Sequence, residues 1–322
     1  MSEENGLYRP INLANISKGS NLTFDVYYES KSVGGTYVKF ASADNPRHQE
    51  KVKEFLSNPD FNIQLYIEEK DLFKYYDQTT VSLKKMMESD VVPLKEKTKK
   101  VYSVSKEIMQ DFFEFSATDK VLGSSEKVME IMEDCISDNN VGFKAISQIT
   151  NKDYYTYTHS VNVGLYCMTF GVKLKMGRDD VRELGLGGML HDVGKAEVPH
   201  ELINKNGALT DEEFKIIQNH SPKGEEYLSN LNCYSQKVTC MAGQHHEKWK
   251  GGGYPKNLMG DQIAVNARIC KIMDVYDALS TRRSYKKAMN SFEALTLMKQ
   301  KMNDHFDPKL LNAFIRLMGP DM

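Results

Sequence analysis

His191 and Asp192 stand side by side, followed by Val193-Gly194-Lys195. Imidazole with carboxylate is a donor set suited to iron, manganese or zinc. Neighbouring helical positions point about 100° apart, so both side chains reach one ion only at the wall of a cleft. The two oxygens of Asp192 would also let it bridge two ions. A capping or salt-bridged pair is the alternative for an isolated His-Asp step. A second adjacent pair, His245-His246, precedes Glu247-Lys248-Trp249-Lys250 and the run Gly251-Gly252-Gly253-Tyr254-Pro255. A chance surface pair is its rival reading. Three glycines let the backbone approach a ligand closely and the proline stiffens the exit. A helix stop with a flexible loop is the plainer account.

Asp274 lies inside the apolar segment Ile269-Cys270-Lys271-Ile272-Met273-Asp274-Val275-Tyr276-Asp277-Ala278-Leu279. A buried carboxylate needs a partner. Asp277 follows one turn later, near the same face. A structural salt bridge explains one of the two more comfortably than both. His159 and His220 complete the set of candidate donors.

Those residues need helices to hold them. Thr210-Asp211-Glu212-Glu213 is a capping box, with Leu209 and Phe214 spaced as its hydrophobic staple. Ser221-Pro222 predicts a further helix start, with Ser221 as N-cap and Pro222 at the first helical position. The C-terminal half is expected to be an all-helical bundle. Residues 71–148 read as helical and charged. The basic run Leu94-Lys95-Glu96-Lys97-Thr98-Lys99-Lys100 is read as a solvated helix face rather than a binding patch. Residues 1–70 differ: Phe24, Val26 and Tyr28 alternate with polar neighbours, Gly34-Gly35 marks a turn, Val38 and Phe40 follow, and Ile63, Leu65 and Ile67 alternate again. Period two predicts short, half-buried strands. The expected fold is therefore mainly α, with a small β-containing module at 1–70, a charged helical connector at 71–148 and a helical domain at 149–322.

Length and composition bound the rest. The 322 residues suit two domains, and 40% hydrophobic with 27% charged residues is ordinary for a globular protein. Lys plus Arg is 42 against 44 for Asp plus Glu, a net charge of -2. That excludes a broad electrostatic grip on nucleic-acid polymers or anionic lipid. The five cysteines form no CxxC pair, which suits buried free thiols in a reduced, cytoplasmic compartment. No leader-like N-terminus and no membrane-length apolar run are expected. Of eight histidines, His48 alone precedes residue 150; the others fall between 159 and 305.

Taken in order, Tyr157-Thr158-His159-Ser160-Val161-Asn162-Val163, His191-Asp192-Val193-Gly194-Lys195, His220, His245-His246, Gly253-Tyr254-Pro255 and Asp274 resemble the HD-GYP family. Leu202-Ile203-Asn204-Lys205-Asn206-Gly207-Ala208-Leu209-Thr210 and Phe306-Asp307-Pro308 resemble it too. The resemblance covers residues 150–318 and leaves the N-terminal half unassigned. It implies an HD-type metal-dependent phosphodiesterase that opens cyclic di-GMP to the linear dinucleotide pGpG, with a weaker step to GMP. It implies two divalent metals, iron favoured and manganese as substitute. His159, His191, Asp192 and Asp274 would hold one, and Asp192, His220, His245 and His246 the other. Two such cations lower the pKa of a shared water and clamp the phosphate, for in-line attack with the ribose oxygen leaving.

The resemblance also implies that Lys195 neutralises the phosphate, beside Asp192 as the catalytic carboxylate. Gly253, Tyr254, Pro255, Arg283 and Lys286 would contact the substrate, with Arg282 a near rival to Arg283. Some members hold a third metal through a glutamate four residues before the first histidine. Tyr155 occupies that position here, beside Tyr154, so two metals are expected. Lys250 stands where the family usually has an acidic residue, and Gly252 where serine is common; these alter loop anchoring or the charge at the entrance. His48, His200 and His305 are read as satisfied or exposed. A cyclic-dinucleotide sensor with little turnover, or a phosphodiesterase for another cyclic dinucleotide, are the alternatives. A signalling protein docking on the N-terminal module and a homodimer are the further partner readings.

Overall fold

The computed structural model describes residues 7–17, 19–30, 36–57, 63–115, 119–138, 143–150, 155–203, 205, 207–281 and 288–319. The chain divides into two compact units, Met1–Val104 with Ala117–Ile131, and Ser105–Ser116 with Met132–Met322.

The first unit is built on strands β1 (Tyr8–Ile11), β2 (Val26–Ser30), β3 (Thr36–Ala41) and β4 (Leu65–Glu68). They form one antiparallel sheet in the order β1-β4-β2-β3. The alternation at 24–28, 38–40 and 65–67 marks β2, β3 and β4; Val26, Leu65 and Ile67 are buried. The Gly34-Gly35 turn lies outside the described residues. Strand β1 carries Pro10, which donates no ladder hydrogen bond, and it pairs at the sheet edge where that is tolerated. Helix α1 (Pro46–Ser57) follows β3, with Phe55 edge-on to Phe40 at 5.5 Å. Helix α2 (Leu72–Glu88) buries Leu72, Tyr75, Tyr76 and Leu83. Helix α3 (Leu94–Phe115) opens on the basic run. Lys95 and Lys99 are exposed, while Lys97 donates to the Met87 carbonyl and Lys100 to Asn15. Helix α4 (Asp119–Asp138), like α3, lends residues to both units.

The second unit is helical among its described residues. It contains α5 (Phe143–Ile149), α6 (Thr156–Lys173), α7 (Arg178–Leu190), α8 (His200–Ile203), α9 (Asp211–Gln218), α10 (His220–Asn230), α11 (Gln236–Gln244), α12 (Val265–Ser280), α13 (Ser291–Lys301) and α14 (Pro308–Met318). Helix α6 is buried on nearly every side from Thr158 to Gly171. Side chains such as Val161, Leu165 and Phe170 contribute about 1.5–3 kcal/mol each on burial, which offsets the cost of enclosing His159. Glycines set the α6–α7 crossing: a Cβ on Gly164 would lie 2.8 Å from the Gly185 carbonyl, and one on Gly188 would lie 2.9 Å from Gly164 Cα.

The capping box of α9 forms as expected. Glu213 N donates to Thr210 Oγ1 at 3.2 Å, and Thr210 N donates to Glu213 Oε2 at 2.7 Å. The helix start expected at Ser221-Pro222 falls earlier, because α10 already begins at His220. The Ser221 hydroxyl does not cap; it donates to the Ala242 carbonyl on α11 at 2.7 Å, joining those helices. Cys135, Cys167, Cys240 and Cys270 are buried thiols, but Cys233 is exposed in the turn after α10. Among the described residues, no helix is long and apolar enough to cross a membrane.

Candidate metal centre

Five helices converge on Asp192. Helix α6 brings His159; the end of α7 brings His191 and Asp192; the start of α10 brings His220; the end of α11 brings His245 and His246; and α12 brings Asp274. His159, His191, Asp192, His220 and His245 are each 1% exposed or less. Enclosing so many polar groups is expensive unless something pairs them.

Four of the five rings are aimed from behind. His191 Nδ1 donates to the Gly188 carbonyl at 2.7 Å and His220 Nδ1 to the Ile217 carbonyl at 2.6 Å. His245 Nδ1 is shared between the Met241 and Ala242 carbonyls at 2.9 and 3.0 Å. A carbonyl can only accept, so in the neutral ring these bonds fix the proton on Nδ1 and leave Nε2 as a lone-pair donor. His159 Nδ1 is held by Asp277 Oδ2 at 2.7 Å.

The free faces meet. Asp192 Oδ2 lies 3.4 Å from His191 Nε2 and 3.8 Å from His159 Nε2, while Oδ1 lies 3.4 Å from His220 Nε2 and 3.8 Å from His245 Nε2. Asp274 Oδ1 is 3.1 Å from His159 Nε2. His220 Nε2 lies 3.4 Å from His245 Nε2 and 3.2 Å from His246 Nε2. Ligand-capable atoms of Asp192, His220, His245 and His246 lie within 4.8 Å of one another, and so do those of His159, His191 and Asp192. His191 Nε2 and Asp192 Oδ1 are buried with no hydrogen-bond partner. His220 Nε2, His245 Nε2 and Asp192 Oδ1 turn lone pairs toward one another, and imidazole with carboxylate fits a divalent metal. The cluster has the donor types and spacing to hold a divalent metal ion.

Electrostatics agree with that division. Burial alone would raise Asp192, but His191, Lys195 and His220 outweigh it and hold the carboxyl well below the usual range. Burial would likewise raise Asp274, and His159 and His191 reverse this. Burial lowers His159 and His191, yet adjoining carboxylates lift each to about 9: Asp274 and Asp277 for His159, chiefly Asp192 for His191. Burial pushes His220 down to about 4, reinforced by Lys195 against the pull of Asp192. It also drives His245 and His246 well down, helped by neighbouring rings.

The surrounding residues frame the pocket. Lys195 Nζ donates to Asp192 Oδ2 at 2.6 Å. The turn Val193–Glu197 passes so close to α10 that a Cβ on Gly194 would lie 2.0 Å from the His220 carbonyl oxygen. The Tyr254 ring stacks on His246 at 4.6 Å and meets Phe214 edge-on at 6.2 Å. The bond between Tyr254 and Pro255 is cis. Gly253 leaves no room for a Cβ, which would sit 2.5 Å from Glu247 Cα. Gly251 and Gly252 have φ of +87° and +73°, values that favour glycine. Lys250 pairs with Asp304, so this departure anchors the loop.

Sequence reasoning missed Glu247. It is fully buried, and its carboxylate accepts from Lys256 N at 2.7 Å and Leu258 N at 3.0 Å, pinning the glycine loop. Its place directly after His246 was the available signal. Lys271, also missed, is buried with Nζ donating to the His245 carbonyl at 3.3 Å; burial lowers it to about 8. Arg282, Arg283 and Lys286 lie outside the described residues, as do Tyr154, Asn204 and Asn206. Tyr155 is 55% exposed and stacks on Tyr157, offering no carboxylate. His48 is structural, its Nδ1 accepting from Ser42 N at 3.1 Å, and the His305 carbonyl accepts from Trp249 N at 3.2 Å.

The HD domain family model matches residues 130–310, and the chain belongs to that family. Its ordered His-Asp and Gly-Tyr-Pro strings resemble those of the HD-GYP branch. The chain is 39% identical over 175 residues to the cyclic di-GMP phosphodiesterase PA4108 of Pseudomonas aeruginosa, a match that covers 54% of this chain and 42% of that protein. It is 35% identical over 168 residues to 3'3'-cGAMP-specific phosphodiesterase 3 of Vibrio cholerae, covering 52% of this chain and 36% of the relative. The chain thus spans less than half the length of these curated relatives. The solved structure of Bd1817, a HDG"Y"P protein from Bdellovibrio bacteriovorus, shares the fold at a TM-score of 0.67 and 16% identity, covering 97% of this chain and 99% of that one.

Proposed function

We propose that this protein is a metal-dependent phosphodiesterase that hydrolyses cyclic di-GMP to linear pGpG. The observation that carries the reading is the set of imidazoles whose Nδ1 atoms are tied back while their Nε2 atoms converge on Asp192. Two metals are proposed, iron favoured and manganese able to replace it. His159, His191, Asp192 and Asp274 hold the first; Asp192, His220, His245 and His246 hold the second. Such a pair, when bound, lowers the pKa of a water and neutralises the phosphoryl oxygens. Asp192 gives one oxygen to each side and sets the spacing of the two positions. Lys195, anchored on Asp192, is placed to put an ammonium on the phosphoryl oxygen as charge builds there. Gly253, Tyr254 and Pro255 form the wall beside His246, against which the nucleotide packs. Arg283 and Lys286 are proposed to grip the remainder of the ring.

Phosphodiester chemistry follows from the donors more directly than base identity does. The matched Vibrio cholerae relatives named as 3'3'-cGAMP-specific make that dinucleotide the competing substrate. Anaerobic reconstitution of the full chain with iron or manganese, then product analysis with equal concentrations of cyclic di-GMP and 3'3'-cGAMP, tests the reading. The expected result is metal-dependent pGpG formation with cyclic di-GMP preferred. Preference for 3'3'-cGAMP would change the substrate, and binding without turnover would make the protein a sensor. Functionally we divide the chain at 70 and 148: a small β-containing module without an assigned role, a charged helical connector and the catalytic domain.

A further inference from the structure

The two halves of the centre are backed by different chemistry. His191, His220 and His245 donate from Nδ1 to neutral main-chain carbonyls. His159 donates to a carboxylate, Asp277 Oδ2, at 2.7 Å. Asp277 is fully buried, and its other oxygen accepts from Asn162 Nδ2 at 3.0 Å and from Thr281 Oγ1 at 3.1 Å. It stands behind the His159 ring, on the side away from Nε2. A carboxylate in that place fixes the ring plane and makes Nε2 a stronger donor. The first position therefore has Asp274, a share of Asp192, and Asp277 one ring behind. The His220-His245-His246 position has Asp192 as the carboxylate within ligand distance, and Asp274 acts on His245 and His246 only through the longer-range field.

We infer that Asp277 is a positioning residue that makes the two metal positions unequal, so that the first retains its cation while the second exchanges. The inference rests on the two-metal reading above. Its test is titration of the metal-depleted full chain with manganese, followed by calorimetry and metal analysis. Wild type should take two ions in two resolved steps. Asp277→Asn keeps the volume and an acceptor oxygen but removes the charge. It should weaken the tighter step roughly 10–100-fold and leave the weaker step in place. Thr281→Val, which removes one support of Asp277, should weaken the same step less. With His246→Ala disabling the second position, Asp277→Asn should keep its full effect; with Asp274→Ala disabling the first, it should have none. Circular dichroism confirms folding, and if Asp277→Asn does not fold, Thr281→Val decides alone. Equal weakening of both steps, or no change, overturns the inference and leaves the two-metal reading standing. A wild type that binds no manganese overturns both.

Discussion

The two units bury polar groups in opposite ways. In the sheet unit, donors meet acceptors. The Tyr75 hydroxyl accepts from Asn15 Nδ2 at 2.7 Å, and Gln49 accepts from Leu22 N at 2.8 Å while donating to the Leu22 and Ala43 carbonyls. Such pairs satisfy themselves and hold loops in place. At the centre of the helical unit, acceptors meet acceptors: His220 Nε2 faces His245 Nε2 at 3.4 Å with both Nδ1 atoms donating to carbonyls, and Asp192 Oδ1 has no donor. Complementary burial is architecture. Burial of like with like is stable only with a third species among the groups, and that is how a ligand site declares itself.

Breaking the convergence should have the largest effect. Asp192→Ala removes the one group that faces both sets of rings, so metal content should fall at both positions and turnover should drop at least about 10³-fold, roughly 4 kcal/mol of barrier. Full retention of two metals in this variant would refute the site assignment. Gly194→Ala comes next. The added Cβ meets backbone rather than a flexible side chain, so the start of α10 must shift and carry His220 with it. A loss of about 1–3 kcal/mol in chemical denaturation, with weaker metal uptake, is expected.

The pH dependence sharpens the same contrast. In metal-free protein His159 and His191 keep protons up to about 9. Cation binding must displace both, so apparent manganese affinity should rise with pH toward 9, by as much as about 100-fold per unit. For folding, the raised histidines add stability that is complete below about 6.5 and lost as pH climbs through about 9. His220 acts in the other direction: its contribution is lost as pH falls from about 6.5 to about 4. Denaturation of the metal-free protein across this range should therefore show losses on both sides, and flat behaviour would contradict the assignment.

The smallest effect belongs to the sheet unit. Tyr75→Phe removes the hydroxyl that accepts from Asn15 Nδ2 and donates to the Asn12 carbonyl, and should cost about 1–3 kcal/mol. Turnover of cyclic di-GMP should be unchanged at temperatures where the variant is folded. A loss of activity without a loss of stability would mean that this unit does more than fold.

Much of the molecule was legible from the chain alone, for reasons that differ by element. Strands β2, β3 and β4 follow from alternation, but β1 did not announce itself, since four residues with Pro10 in the middle show no clean period. The capping box at Thr210 was readable because its bonds span three residues. The start of α10 was misplaced because Ser221 spends its hydroxyl on α11, a partner that no local rule can see. Lys250 read either as charge near the entrance or as a change in loop anchoring, and the choice was not legible because its partner Asp304 lies far along the chain.

The sequence by itself determined which atoms the centre has at its disposal: seven candidate ligands of the right type, in an order that resembles one family. Side-chain identity is local information. Tertiary structure decided which nitrogen of His159, His191, His220 and His245 points inward, because that depends on carbonyls and on Asp277 reaching the ring from behind. It also decided that Glu247 pins the glycine loop and that Gly194 must lack a side chain. Those are contacts between segments far apart along the chain, and close packing, rather than residue type, brings them together.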